Sequence, residues 1–240
     1  MSDLPLISCL CVTRNRVEHL RRSVNCFLDQ RYPTRELILV YESDDAATRR
    51  YVATLTCPMI VPVQVGAGQM NLGALRNVSI RESHGDYIAQ WDDDDWFSSL
   101  RLECQYEAII KSGKPACLLS RWTVYDAKKG RGYISNPRAW EGSLLCHKAA
   151  MVAYPELPMG EDTPAIQQLL DASQVTLLER PELYIYAYHG RNVWDRRHWE
   201  DIFQCSTPLD PDLNRTIKDL MTLPGRRLGW IRNLLDRWGG

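Results

Sequence analysis

Through the first hundred residues, short apolar runs alternate with stretches whose apolar positions recur at helical spacing. This alternation restricts the fold more than any other feature. Residues 6–12 form the first run, and Val17, Leu20, Val24, Phe27 and Leu28 follow at helical spacing. Asn15, three residues before Glu18, is a candidate cap for that helix. The pattern predicts further strands at 37–41, 59–65 and 87–91, and further helices at 48–55 and 71–82. Pro62 removes a ladder donor from the third strand, which puts that strand at an edge or makes it irregular. Strands alternating with helices imply an α/β fold with a mostly parallel central sheet and helices on both faces. Ligands of such sheets bind beyond the carboxyl ends of the strands, where Thr13, Glu42 and Asp92 fall.

The second half is less regular. Residues 116–125 and 132–135 read as a hairpin around Lys128, Lys129 and Gly130, and 143–147 as another strand. A helix is expected at 163–172, with Ala165, Ile166, Leu169 and Leu170 along one face, and a last strand at 183–188. No repeat or linker divides the chain. The expectation is one domain over 1–240: a nucleotide-binding half at 1–97, an acceptor-binding and catalytic half at 98–225, and a basic helix at 226–238.

Charge excludes one broad class. The 29 basic and 30 acidic side chains leave a net charge of −1, so no global basic field is available to hold nucleic acid. No apolar run approaches the ~18 residues of a membrane span, and the N-terminus lacks a signal-peptide pattern. The eight cysteines form no Cys-x-x-Cys pair, and several sit in apolar runs as small core residues. A reducing, cytoplasmic setting is expected.

Four carboxylates stand together in Asp92-Asp93-Asp94-Asp95, between Gln90-Trp91 and Trp96-Phe97. Adjacent carboxylates repel, and partial burial raises their pKa values unless a cation compensates. A hard divalent ion such as Mg²⁺ or Mn²⁺ does so and leaves positions open for phosphate oxygens. The plainer alternative is a solvated acidic turn or a helix-start cluster. The aromatic flanks and the strand-end position favour the ion site.

The residues from Leu6-Ile7-Ser8-Cys9-Leu10-Cys11-Val12 to Thr13-Arg14-Asn15-Arg16 resemble the first strand and turn of family 2 glycosyltransferases. Phe27-Leu28-Asp29-Gln30-Arg31-Tyr32, Glu36-Leu37-Ile38-Leu39-Val40, Asn71-Leu72-Gly73-Ala74-Leu75-Arg76-Asn77 and Gly85-Asp86-Tyr87-Ile88-Ala89 continue the likeness into the aspartates. The resemblance implies the GT-A fold, with its Rossmann-like sheet, and a nucleotide-diphospho-sugar donor. It also implies a divalent metal, Mn²⁺ or Mg²⁺, and inversion at the anomeric carbon. Carried over by position, Thr13 lines the nucleoside pocket with Arg14 and Asn71 nearby, and Arg76 lies near the nucleotide. Glu42 contacts the base or ribose, although Tyr41-Glu42-Ser43-Asp44-Asp45 replaces the usual Asp-Asp-Gly-Ser run; uridine is the default base. Asp92 faces the ribose or the metal, Asp93 is the middle member, Asp94 is the metal-binding carboxylate, and Asp95 supports the loop.

Glu161-Asp162, just before a helix, resembles the acidic pair of the same family, whose aspartate is the general base. An inverting transfer needs one carboxylate to take the acceptor proton, so Asp162 is the candidate base and Glu161 orients the acceptor. A helix-start acid favoured by the macrodipole is the bland alternative. His189, at the end of the last strand, either completes the metal shell, contacts the diphosphate or is a satisfied structural residue. Arg191, Trp194 and His198 follow on what reads as a mobile loop. Trp140 and Glu141 precede the acidic pair, and Trp140 is either part of an acceptor platform or a core residue. The acceptor class stays open between a glycan, a lipid-linked saccharide and a protein. The amphipathic stretch 226–238 either lies on an anionic membrane or packs on a domain or partner. Two other readings remain, a nucleotidyltransferase and a sugar-nucleotide-binding module without turnover.

Overall fold

The computed structural model describes residues 4–222. The basic stretch at 226–238 lies outside them. The chain runs β1 (Ile7–Thr13), α1 (Val17–Leu28), β2 (Arg35–Glu42), α2 (Ala46–Val52), β3 (Ile60–Val65), α3 (Leu72–Arg81) and β4 (Tyr87–Gln90). It continues through β5 (Trp96–Phe97), α4 (Arg101–Ser112), β6 (Ala116–Leu119), β7 (Thr123–Asp126), β8 (Arg131–Ile134) and β9 (Trp140–His147). Last come α5 (Asp162–Asp171), β10 (Val175–Leu178), β11 (Tyr184–Tyr188), α6 (Arg196–Gln204), β12 (Thr207–Pro208) and α7 (Pro211–Thr222).

Seven strands form the central sheet in the order β10-β6-β9-β4-β1-β2-β3. β1 pairs in parallel with β2 and β4, β2 with β3, and β6 with β10, while β9 runs antiparallel between β4 and β6. The middles of β1 and β2, Cys9 to Val12 and Leu37 to Tyr41, are continuous apolar runs because both faces are covered. Cys9, Cys11, Leu37 and Leu39 pack with Phe27 and Trp91 on one face. Leu10, Ile38 and Val40 pack with Val78 and Ile166 on the other. Pro62 sits on β3, an edge strand, where a missing donor costs least.

Three sequence expectations are corrected. Residues 116–125 are not one strand: the chain leaves the central sheet after Leu119 and enters a second sheet at Thr123. That second sheet has the order β12-β8-β7-β11-β5. Asn15 does not cap α1. Its φ is +54°, its N–H donates to Asp45 Oδ2 at 2.5 Å, and Arg16 holds the cap position without a side-chain bond. The stretch read as a mobile loop contains α6, capped by Asp195, with Trp199 and Ile202 buried beneath it. Among the described residues no helix is long and apolar enough to cross a membrane. All eight cysteines are free thiols, five of them buried in the core.

Candidate active site

Because β1, β2 and β4 run in parallel, their carboxyl ends meet along one edge. Thr13 ends β1, Glu42 ends β2, and the aspartates begin two residues after β4. The Thr13 hydroxyl donates to Asp93 Oδ2 at 2.6 Å, which fastens the first strand to the acidic loop. Ser23 donates to the Asp92 carbonyl at 3.0 Å, and Arg22 to the Asp94 carbonyl at 2.5 Å, so α1 holds the loop backbone.

The four aspartates occupy four different environments. Asp92 Oδ1 accepts from Arg76 Nη2 at 3.0 Å. Burial and the neighbouring Asp94 charge push Asp93 above the usual carboxylate range, against the pull of Arg16 and Thr13. Burial also opposes ionisation of Asp94, but a hydrogen bond from His189 and the charge of Arg16 hold its carboxyl below the ordinary value. His189 Nε2 lies 3.0 Å and Arg16 Nη1 2.9 Å from the same oxygen, Oδ2. Asp95 is buried beneath them, and burial followed by repulsion from Asp94 and Asp92 raises it well above the usual range. Its carboxyl accepts from the Tyr184 hydroxyl at 2.6 Å and the Ala187 N–H at 2.9 Å, tying the loop to β11. Tyr184 was not singled out by its sequence; a buried strand tyrosine carries no local mark of such a contact.

Arg76 joins the two acidic motifs. It is buried on α3, and its Nε donates to Glu161 Oε1 at 2.5 Å while Nη2 reaches Asp92. Burial alone would favour a neutral guanidine, and the two carboxylates keep it charged. Glu161, 2% exposed, is thereby committed to Arg76. Asp162 opens α5 beside it. Burial raises the Asp162 pKa to about 6; Arg76 draws it down, and Glu161, Glu141 and Asp92 add to the rise.

One cavity is lined by Asp92 to Asp95 together with Arg76, Glu161 and Asp162, and its outer wall carries Trp194 and His198, whose rings stack at 4.4 Å. Arg138 and Glu141 line it too; they form an ion pair, and the Arg138 guanidinium lies 4.5 Å above the Trp140 ring. Trp140 itself is 3% exposed and stacks on Trp122, which stacks on Tyr184, so it is chiefly a packing residue. A second hollow, lined by Thr13, Arg14, Glu42 and Asp93, adjoins the first. Within it Glu42 is paired with Arg14 and accepts from the Gly68 N–H at 2.5 Å. Asn71 lines neither space. Its Oδ1 caps α3 at Ala74 N and its Nδ2 donates to the Glu156 carbonyl at 2.6 Å.

The donor set suits a hard divalent cation. Asp94 and His189 put an oxygen and an imidazole nitrogen side by side, with Asp93 adjacent. Among the described residues no group of three or more His, Cys, Asp or Glu side chains is arranged to hold a metal ion. Two donors with open positions is the pattern of cations that keep most of their shell for phosphate and water.

A seven-stranded sheet here gathers an aspartate loop, a bridging arginine and a helix-start aspartate around one cavity, an α/β architecture with its ligand space beyond the strand ends. The family model of glycosyl transferase family 2 matches residues 8–167, well over half of the chain, which therefore belongs to that family. The chain is 35% identical over 165 residues to WcaA of Escherichia coli strain K12, provisionally named a colanic acid biosynthesis glycosyl transferase, covering 66% of this chain and 52% of that protein. It is 28% identical over 114 residues to an uncharacterized glycosyltransferase of Haemophilus influenzae, covering 46% and 44%. The chain thus spans about half the length of these relatives or less. Among solved structures, S. aureus TarS 1-349 in complex with UDP-GlcNAc superposes with a TM-score of 0.66 at 15% identity, covering 90% of this chain and 71% of that one. The mannosyltransferase PcManGT from Pyrobaculum calidifontis, in complex with GDP-Man and Mn²⁺, superposes at 0.60 with 12% identity, covering 91% and 70%. These likenesses establish the GT-A fold.

Proposed function

We propose that this chain is an inverting glycosyltransferase that moves a sugar from a nucleotide-diphospho-sugar, with uridine as its base, to an acceptor hydroxyl. One observation carries the reading: the Asp162 carboxyl, with its pKa raised to about 6, faces the same cavity as the aspartate loop. A base of that strength is ionised at neutral pH and still basic enough to take a proton as the hydroxyl attacks. Arg76 keeps Asp162 and the loop in fixed relation by holding Glu161 on one side and Asp92 on the other. Glu161 acts through that ion pair, orienting the base and the acceptor beside it.

The hollow beside Thr13, Arg14 and Glu42 suits the nucleoside, with Asp92 and Asp93 toward the ribose and diphosphate. Asn71 supports this wall by holding the start of α3. Asp94 and His189 would hold Mn²⁺ or Mg²⁺, whose charge stabilises the departing diphosphate. The acceptor, whether glycan, lipid-linked saccharide or protein, enters past Trp194 and His198. PcManGT in complex with GDP-Man and Mn²⁺ supports the metal, and TarS in complex with UDP-GlcNAc supports the diphosphate-sugar donor.

The test is a panel of UDP- and GDP-sugars, with Mn²⁺, Mg²⁺ or chelator, read as nucleoside diphosphate released and as donor-dependent change in Tm. The expected result is metal-dependent release and stabilisation by UDP-sugars. A GDP-sugar preference would correct the base. No response to any donor would reject the reading.

A further inference from the structure

The two spaces of the site share a narrow strip, and Arg16 and Asp93 are the charged residues on it. A donor lying across both spaces must pass its diphosphate over that strip. Arg16 is already engaged there. Its Nη1 lies 2.9 Å from Asp94 Oδ2 and 3.6 Å from Asp93 Oδ1, and its Nη2 donates to the Arg191 carbonyl at 3.0 Å. The guanidinium therefore links the acidic loop to the turn between β11 and α6, where His189 and Asn192 also sit.

Two features make this more than a surface ion pair. The oxygen that Arg16 holds, Asp94 Oδ2, is the one His189 also faces, so the guanidinium covers the oxygen offered to a divalent cation. A guanidinium and a dication cannot share one face of one carboxylate oxygen, because both repulsion and volume forbid it. The Arg16 side chain is also 24% exposed, follows a residue at φ +54°, and borders open space on both sides. It can leave the carboxylates without unpacking a core. Its planar fork suits phosphate oxygens as well as carboxylates.

We propose that Arg16 is a resident counter-cation of the aspartate loop that exchanges partners when the donor binds. In the empty protein it neutralises Asp93 and Asp94 and ties down the Arg191 turn. With metal and diphosphate present it leaves the carboxylates, donates to the diphosphate, and frees the Arg191 carbonyl. The exchange makes metal and diphosphate binding cooperative: metal alone competes with Arg16, whereas metal with diphosphate gains Arg16 as a second cation. No covalent step is involved. The inference rests on the donor-binding reading above and adds to it a residue that links the two ligands.

Titrations of MnCl₂ into the protein, alone and with saturating UDP or GDP, followed by the free Mn²⁺ spin-resonance signal, test it in wild type, Arg16→Gln and Arg16→Lys. Arg16→Gln is expected to bind Mn²⁺ alone several-fold more tightly than wild type and to lose about tenfold of the mutual enhancement between Mn²⁺ and nucleoside diphosphate, a coupling of ordinary size. Arg16→Lys keeps the charge but not the fork, and should stay close to wild type for Mn²⁺ alone while recovering the enhancement only in part. Loss of a positive charge beside Asp94 strengthens Mn²⁺ binding in any arrangement, so it is the lost mutual enhancement in Arg16→Gln, partly restored in Arg16→Lys, that separates exchange from a static ion pair. Unchanged or weaker Mn²⁺ binding in Arg16→Gln overturns the exchange while leaving the donor reading intact. If wild type itself binds no diphosphate with Mn²⁺, the donor reading fails and the exchange with it.

Discussion

Asp162 sets a stability cost against a function. Its carboxyl is carried from an ordinary 3.8 to about 6, chiefly by burial. The folded state thus holds the proton better than the unfolded chain, and the stability this contributes is full below about pH 3.8 and lost as pH rises through about 6. At pH 7.5 the ionised group costs up to about 3 kcal/mol. Asp162→Asn should therefore raise stability at pH 7.5, measured by urea unfolding, with little gain at pH 4, while transfer falls by at least ~10²-fold. In wild type, kcat/KM should rise with pH through an apparent pKa near 6, provided the donor is kept metal-loaded across the range. Arg76 carries the opposite sign. Arg76→Met leaves Glu161 buried without its partner and should cost about 3–5 kcal/mol in urea unfolding. The sequence pointed to Asp162 and Arg76 one at a time, through the family resemblance of the motifs that hold them. It could not reveal that Arg76 bridges Glu161 and Asp92, because those residues are brought together only when α3 packs beside the loop. The Arg16 contact was hidden for the same reason.

At the scale of elements, α3 is fixed by a close approach that only glycine permits. A Cβ on Gly73 would stand 2.0 Å from the Pro155 carbonyl oxygen, and the Gly73 N–H donates to the Leu157 carbonyl at 3.0 Å. The backbone at 155–157 leads directly to Glu161, so displacing α3 moves Arg76 relative to the acidic pair. Gly73→Ala is expected to destabilise the fold by about 1–3 kcal/mol and to lower kcat as well, seen by thermal unfolding and by steady-state turnover. The elements β1, β2 and β4 were legible because strands buried on both faces read as continuous apolar runs. The break between β6 and β7 was not, since only Ser120 and Arg121 interrupt the apolar run at the point where the chain changes sheet. The helix α6 does print a period, Trp199, Ile202 and Phe203 at i, i+3 and i+4, but over a single turn, too short to stand out in a stretch dominated by charged residues.

For the whole molecule, two sheets and the helix α5 converge on one cavity, which the aspartate loop and Asp162 both line. The first half of that arrangement follows from a parallel sheet whose strand ends share an edge. The second depends on a sheet exchange and long returns of the chain, which local periodicity does not encode. The most direct test is a calorimetric titration of nucleoside diphosphate, with and without Mn²⁺, into wild type, Asp94→Ala and Asp162→Asn. Wild type and Asp162→Asn should bind with similar affinity when Mn²⁺ is present, and Asp94→Ala should lose at least about tenfold of that metal-dependent affinity. Equal binding by Asp94→Ala and wild type, or no metal-dependent binding by wild type, would contradict the division of the site into a donor-holding loop and a separate base.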